Sequence, residues 1–192
     1  MIKKIIDNEL FENVDFSTTK LVTAEYEICK FINCSFSEVD LSNITFLECE
    51  FENCNLSMAI LKNTAFREVN FSNCKLLGLN FNDCHEFLLS FNFKSCQLNL
   101  SSFYKLNLKG IKFNNCSLQE VDFVETNLSK ASFDSCDLSG AIFDQSILES
   151  ADFQNAVNYS IDPELNQIKK AKFSLNGLPG LLGKYDIEIE VV

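Results

Sequence analysis

The chain has 192 residues, of which 46% are hydrophobic, and it carries a net charge of −11. This composition supports a packed core of one large domain or two small ones and excludes a disordered chain. No stretch approaches the roughly 20 apolar residues of a membrane span, and the first residues lack the apolar region and cleavage site of a signal peptide. We therefore expect a cytoplasmic protein that does not bind a membrane.

A repeat of five residues occupies most of the chain. We expect residues 1–10 to form a cap, after which an apolar residue recurs at every fifth position from Phe11 to Phe81 without a miss. The register then moves by two residues, and the period resumes from Leu88 to Phe153. A period of five matches neither the 3.6 residues of a helical turn nor the two-residue alternation of a long strand.

Each five-residue unit predicts a short strand followed by a corner. A small or branched residue recurs two positions before the central apolar residue, as at Val14 and Ala24. Eight of the nine cysteines occupy this slot, and the ninth, Cys84, lies at the register break. In an extended chain these two positions point to the same side. The strand therefore has an apolar inner face, and the two polar residues that follow must turn the chain.

A second period of about 20 residues sets the number of sides in one coil, because residues one coil apart stack and should resemble each other. One such column contains only phenylalanine: Phe11, Phe31, Phe51, Phe71, Phe93, Phe113, Phe133, Phe153 and Phe173. The neighbouring column contains six cysteines: Cys34, Cys54, Cys74, Cys96, Cys116 and Cys136. Four units per coil follow, with a core of aromatic rings and thiols.

The pattern resembles that of the pentapeptide-repeat family, as in Cys136-Asp137-Leu138-Ser139-Gly140 and Ala151-Asp152-Phe153. The resemblance implies an all-β fold, a right-handed quadrilateral parallel β-helix of about seven coils that spans residues 11–173. At the ~4.8 Å spacing of paired strands, the rod would be on the order of 35 Å long.

The register break at residues 82–87 has two interpretations. It is either a tolerated surface insertion or a contact loop that presents His85, Glu86 and Phe87 to a partner. Because His85 is the only histidine, no histidine metal cluster can form, and catalytic chemistry based on this residue is disfavoured. The cysteines lack the C-x-x-C spacing of zinc sites, and we expect them to be free, buried thiols. We predict no catalytic residue, cofactor or metal.

Residues 174–192 predict a cap at the end of the repeat, where exposed core and unpaired backbone must be covered. Leu175, Leu178, Leu181 and Leu182 suggest a short amphipathic helix, and residues 187–191 alternate like a strand. This segment is more apolar than one cap requires, which favours a homodimer over a plain monomer cap. The expected interface residues are Leu178, Leu181, Leu182, Ile187 and Ile189.

Charge is unevenly distributed along the chain. The net charge is −7 over residues 11–56, +4 over residues 57–115 and −9 over residues 116–165. Such a surface disfavours nucleic acid and suits a basic groove of a protein partner. The outward carboxylates expected to bind that partner are Glu120, Asp122, Glu125, Asp134, Asp137, Asp144, Glu149 and Asp152.

Among pentapeptide-repeat proteins the chain looks most like the quinolone-resistance type, which bind DNA gyrase and topoisomerase IV as DNA mimics. The shared features are the repeat over most of the chain, its single interruption, the Asp162-Pro163 exit and the leucine-rich end. A 35 Å length of B-DNA carries roughly 20 phosphate charges, which is about twice the number of negative charges that this rod presents. The alternative is a structural or adaptor rod that binds another, unidentified protein.

Overall fold

The computed structural model describes residues 4–190, which form an all-β solenoid of parallel strands. Two sheets form neighbouring sides of the coil. Side A contains four strands in the order β1-β3-β5-β7, and side B contains seven in the order β11-β10-β9-β8-β6-β4-β2. The strands are β1 Ile5–Asp7, β2 Leu10–Glu12, β3 Glu25–Glu27, β4 Lys30–Ile32, β5 Thr45–Leu47, β6 Glu50–Glu52, β7 Ala65–Arg67, β8 Val69–Ser72, β9 Phe91–Lys94, β10 Lys112–Asn114 and β11 Ser132–Asp134.

The other two sides pair through single bridges. Side C begins with Asp15↔Ser35 and side D includes Ser102↔Asp122, each pair 20 residues apart. On side A the same spacing joins Ile5 to Glu25, and on side B the offset becomes 22 only at Val69↔Phe91. The predicted period of 20 residues, its two-residue slip and the pentapeptide β-solenoid are therefore confirmed.

Corner residues adopt the left-handed backbone conformation. Asparagine occupies many of these positions, and the corner after side B has φ between 52° and 55° at Asn13, Asn33, Asn53, Asn73 and Asn115. Asparagine tolerates this region better than most residues because its short polar side chain bonds locally. This explains how a chain with many turns contains only six glycines and two prolines.

Stacked side chains fill the interior. Eight successive ring pairs join the nine phenylalanines from Phe11 to Phe173, with centroid distances of 4.6 to 5.4 Å. The nine cysteines are free and buried, as expected from the sequence. Six of the thiols lie close to backbone carbonyls of the adjacent coil, as for Cys54 Sγ at 3.2 Å from the carbonyl oxygen of Phe31.

The structure corrects the predicted register at the break. Leu88 was expected in the core, but its side chain is 63% exposed, and its φ of 60° places it at a corner. The interior space is filled instead by Phe91, which is 3% exposed and packs its ring against Phe66, Phe81, Phe93 and Phe103. The two additional residues release Leu88 outward, and a large ring from the neighbouring side compensates.

The two ends of the solenoid differ in detail from the predicted caps. Residues 5–7 form strand β1, in register with Glu25–Glu27, so the first coil already includes part of the expected cap at 1–10. At the other end the expected helix is a pair of 3-10 helices, Leu175–Leu181 and Gly183–Tyr185. Residues 187–190 form no strand, because no adjacent backbone pairs with them. Residues 1–3, Val191 and Val192 of these predictions lie outside the described residues.

Candidate functional site

The break produces one outward loop, residues 84–90, which we call the break loop. A 3-10 turn at Phe81–Asp83 leads into it. The His85 N–H donates to the Thr64 carbonyl and the Ser90 N–H to the Phe66 carbonyl, both at 2.9 Å, so strand β7 and the residue before it anchor both ends. The loop therefore projects from side A at a fixed position.

The tip of the break loop is apolar and exposed. His85, Glu86 and Phe87 all point to solvent, as the contact-loop interpretation requires. The Phe87 and Leu88 side chains are each 63% exposed. Beneath them lies Arg67, whose guanidinium carbon is 5.8 Å from the centre of the Phe87 ring. Sequence reasoning missed Leu88 and Arg67, although Arg67 is the single arginine of the chain.

The eight predicted carboxylates point outward but do not share one face. Asp134 and Asp152 lie on side B, Asp137 on side C and Glu149 on side A, as their coil-to-coil bridges show. The remaining four lie on side D and its corners. They are Glu120, Asp122, Glu125 and Asp144. We call these four residues the side D carboxylates.

Several of the eight carboxylates serve the solenoid itself. Asp134 accepts hydrogen bonds from Asn114 and Asn155, at 3.1 and 2.8 Å. Asp152 pairs with Lys172 at 3.3 Å, and Glu125 pairs with Lys105 at 3.4 Å. In the described part of the chain, no side chain forms a hydrogen bond or ion pair with the carboxylates of Glu120, Asp144 or Glu149. The negative surface free to meet a partner is therefore smaller than the sequence count.

Asp137 is the most strongly stabilised anion of the group. Hydrogen bonds from the Ser139 hydroxyl and then the Gln119 amide, at 2.6 Å each, lower the pKa of Asp137 to about 2. The Asn158 amide adds a third bond at 2.8 Å. These bonds join three successive coils, so Asp137 holds the side C corner together while keeping its negative charge.

The C-terminal segment leaves an apolar surface at the end of the rod. Leu178, Ile187 and Ile189 of the predicted interface are 40%, 55% and 47% exposed. Leu181 instead packs against the core, and Leu182 is partly buried. Lys184 fixes the segment to the last coil through ion pairs with Asp162 at 2.8 Å and Glu164 at 2.7 Å.

The described residues contain no group of histidine, cysteine and acidic side chains that could hold a metal ion. They also contain no helix with the length and apolar character needed to cross a bilayer. An open cleft of about 540 Å³ lies between the last coil and the cap, lined among others by Gln154, Asn158, Tyr159 and Asn176. It contains no charged side chain.

Comparison with known proteins identifies the repeat. The family model described as pentapeptide repeat region matches residues 24–92 and 88–160, which is more than half of the chain. A comparison with curated protein sequences gave no significant match.

Several solved structures are similar to this chain. QnrB1, a plasmid-mediated fluoroquinolone resistance protein, is 21% identical over 97% of this chain and 99% of its own, with a TM-score of 0.49. HetL, a pentapeptide repeat protein involved in heterocyst differentiation regulation from the cyanobacterium Nostoc, is 16% identical over 91% and 88%, with a TM-score of 0.53. Identities this low show the fold alone.

Proposed function

The chain belongs to the pentapeptide-repeat family, and we propose that it is a cytoplasmic, non-catalytic rod that binds a protein partner through its side surface. This proposal rests on the division of the side chains between the interior and the surface of the solenoid. The large apolar side chains of the coils fill the interior with stacked rings, so most polar and charged side chains lie on the surface. Function on such a scaffold is a property of the surface groups and not of the fold.

The side D carboxylates are the surface proposed to contact a type II topoisomerase, as DNA gyrase would be contacted by a DNA mimic. They occupy two successive coils, about 5 Å apart, and Glu120 and Asp144 have no internal partner within residues 4–190. A groove that binds DNA is lined by cations, and a row of outward carboxylates is complementary to it, although Glu125 is already paired with Lys105. The sequence resemblance to the quinolone-resistance type supports the same partner.

A gyrase titration tests this proposal. The full chain should inhibit supercoiling or change quinolone sensitivity at micromolar concentration, and Glu120→Gln, Glu125→Gln and Asp144→Asn combined should weaken binding about 10-fold or more. The matched control is Glu48→Gln, Glu52→Gln and Glu68→Gln, which removes three exposed charges elsewhere. Equal losses in both triple variants would leave only a net-charge effect, and no binding by the unaltered chain would exclude gyrase.

The apolar tip of the break loop favours a second candidate, an adaptor rod with a different protein partner. Phe87 and Leu88 imitate no feature of a phosphate backbone, whereas exposed aromatic residues beside an arginine are typical of protein-binding hot spots. If gyrase fails to bind while a Phe87→Ala substitution abolishes capture of one specific protein from the host, this candidate is preferred. Retention of that protein by the Phe87→Ala variant would count against it.

We also propose that the C-terminal surface forms a homodimer. The C-terminal segment exposes Leu178, Ile187 and Ile189, and it also exposes Leu175 and Tyr185, by 81% and 51%. Sedimentation at two concentrations should show a dimer that Leu178→Glu with Ile187→Glu dissociates. These positions are better probes than Leu181, because Leu181 packs against the core and its loss would unfold the cap. An unchanged monomer mass would refute the dimer.

A further inference from the structure

Arg67 is a cation without an acceptor. It ends strand β7 and is partly buried, and its Nε atom is buried without a hydrogen-bond partner. No carboxylate within residues 4–190 forms an ion pair with it. A guanidinium group has five N–H donors and no acceptor, so the partners of Arg67 must come from outside the described chain or from water. Within residues 4–190, the one side-chain interaction of its guanidinium group is a cation–π contact with the ring of Phe87.

Three lysines of the solenoid find their partners one coil away, and the other lysines of the coils are exposed to solvent without an ion pair in the described residues. Lys30 lies opposite Glu50 in strand pairing and bonds to it at 2.9 Å, and Lys105 and Lys172 pair with acids 20 residues distant. Arg67 follows a different pattern. Its neighbour in the preceding coil is Leu47, and on side A of the following coil the break loop takes the place of a strand. The same interruption that exposes Phe87 therefore leaves Arg67 unpaired.

The surroundings of Arg67 favour a negative ligand. The segment from residue 57 to 115 carries seven basic and three acidic residues. Lys109 lies on side A in the coil beyond the break loop and lines a small cleft of about 110 Å³ with Ser90, Asn92 and Asn107. Arg67 and Lys109 therefore lie before and after the loop on side A. The three acids of the segment, Glu68, Asp83 and Glu86, are exposed around the same loop but form no ion pair with Arg67 within residues 4–190, so its guanidinium group stays free to bind an anion.

We propose that Arg67, with Phe87 and Leu88, forms a site for a carboxylate side chain of the protein partner, presented next to an apolar residue. Arginine pairs bidentately with carboxylates, and an aromatic cover strengthens such a pair by excluding water. A nucleic-acid phosphate is disfavoured because the flanking segments carry −7 and −9. This inference rests on the proposed protein-binding function. We therefore expect the partner to present an acidic residue to Arg67, between two basic areas that face the acidic segments of this chain.

The single arginine makes the site directly observable. The Nε–Hε group of Arg67 gives one signal in a ¹⁵N-resolved NMR spectrum of the full chain, and the probe is the dipeptide acetyl-Phe-Asp-amide at constant ionic strength. We expect a saturable shift of that signal, at least ten-fold weaker binding of acetyl-Phe-Asn-amide, and about three- to ten-fold weaker binding of the Asp dipeptide to the Phe87→Ala variant.

Three results would overturn the proposal. They are equal responses to the Asp and Asn dipeptides, a shift that follows ionic strength without saturation, and saturable binding of inorganic phosphate without binding of the Asp dipeptide.

Arg67→Met should keep the unfolding midpoint of the unaltered chain, whereas a large loss of stability would assign Arg67 a structural role. Gyrase binding that persists without dipeptide binding refutes this site alone. Dipeptide binding without gyrase binding refutes the topoisomerase proposal alone.

Discussion

Gly177 of the cap lies so close to the side chain of Tyr159 that a Cβ atom at Gly177 would overlap the Tyr159 hydroxyl. Tyr159 is 5% exposed and closes the stack of rings below it, with its ring centre 5.6 Å from that of Phe153. Its hydroxyl is buried without a hydrogen-bond partner in the described residues. Around Gly177 the cap therefore docks by close backbone approach, whereas its side-chain bonds to the last coil come from Lys184 further along the segment.

Gly177→Ala should displace the cap. Its added methyl group overlaps buried atoms, and overpacking of this kind costs about 1–3 kcal/mol. Gly183→Ala is the matched control, because its nearest non-neighbouring atom would be Ser160 Oγ at 3.9 Å. Urea unfolding reports the loss of stability. Faster hydrogen exchange of the Ile161 amide, which bonds to the Gly180 carbonyl at 2.9 Å, reports cap release. Equal behaviour of the two variants would contradict this docking geometry.

Tyr159→Phe should stabilise the protein. The substitution keeps the ring and removes a buried hydroxyl that has no partner, a group whose burial costs about 1–3 kcal/mol. We expect a gain of about 1 kcal/mol in the free energy of unfolding, measured in urea. The double variant with Gly177→Ala should recover part of the loss caused by the alanine. A destabilised Tyr159→Phe variant would reveal a hydrogen bond, for example to a buried water molecule.

Phe91 and Phe87 should differ sharply in their effect on stability, although only four residues separate them. Phe91→Ala leaves a cavity among four aromatic rings and should cost about 3–5 kcal/mol. Phe87→Ala removes a side chain that is 63% exposed and should cost under about 1 kcal/mol. Chemical denaturation of both variants checks this. Similar losses in the two variants would show that the buried ring of Phe91 is not what holds the two halves of the solenoid together.

Asp137 should make stability depend on acid. Its folded pKa of about 2 lies below the ordinary value of 3.8, so its contribution is present above pH 4 and is lost as pH falls toward 2. With allowance for solvent screening, this contribution is about 1 kcal/mol. The unaltered chain should lose that much more stability between pH 5 and pH 2 than Asp137→Asn, in urea unfolding at each pH. If the stability of both proteins fell equally between pH 5 and pH 2, Asp137 would not be the group responsible.

The cysteines should be unreactive in the folded protein. All nine thiols are buried, so a reagent cannot reach them in the folded chain. Burial also raises the pKa of the Cys49 thiol to about 12, which suppresses its reactive thiolate form. A thiol reagent such as DTNB at pH 8 should therefore label none of the nine cysteines before unfolding and all nine in guanidinium chloride. Ser17→Cys, at an exposed position, supplies one reactive thiol as a positive control. Rapid labelling of the unaltered chain would mean that the coils open readily.

Sequence alone determined the solenoid, because in a repeat each residue's spatial neighbour is encoded at a fixed distance along the chain. The column from Phe11 to Phe173 could be identified from spacing, and its rings stack in that order. The buried cysteines follow from the same rule. The outward direction of the acidic residues also follows, since alternate positions of a short strand face opposite ways.

Tertiary structure decided what happens where the repeat stops. Period counting placed Leu88 in the core, but the path of the inserted residues exposes it and places Phe91 inside. The contact of Arg67 with Phe87 depends on the path of the break loop, and the docking of Gly177 on Tyr159 occurs where the repeat has ended. The distribution of the carboxylates over four sides likewise depends on coil geometry. A regular period fixes neighbours in advance, whereas an interruption or an end is settled by packing and free space in three dimensions.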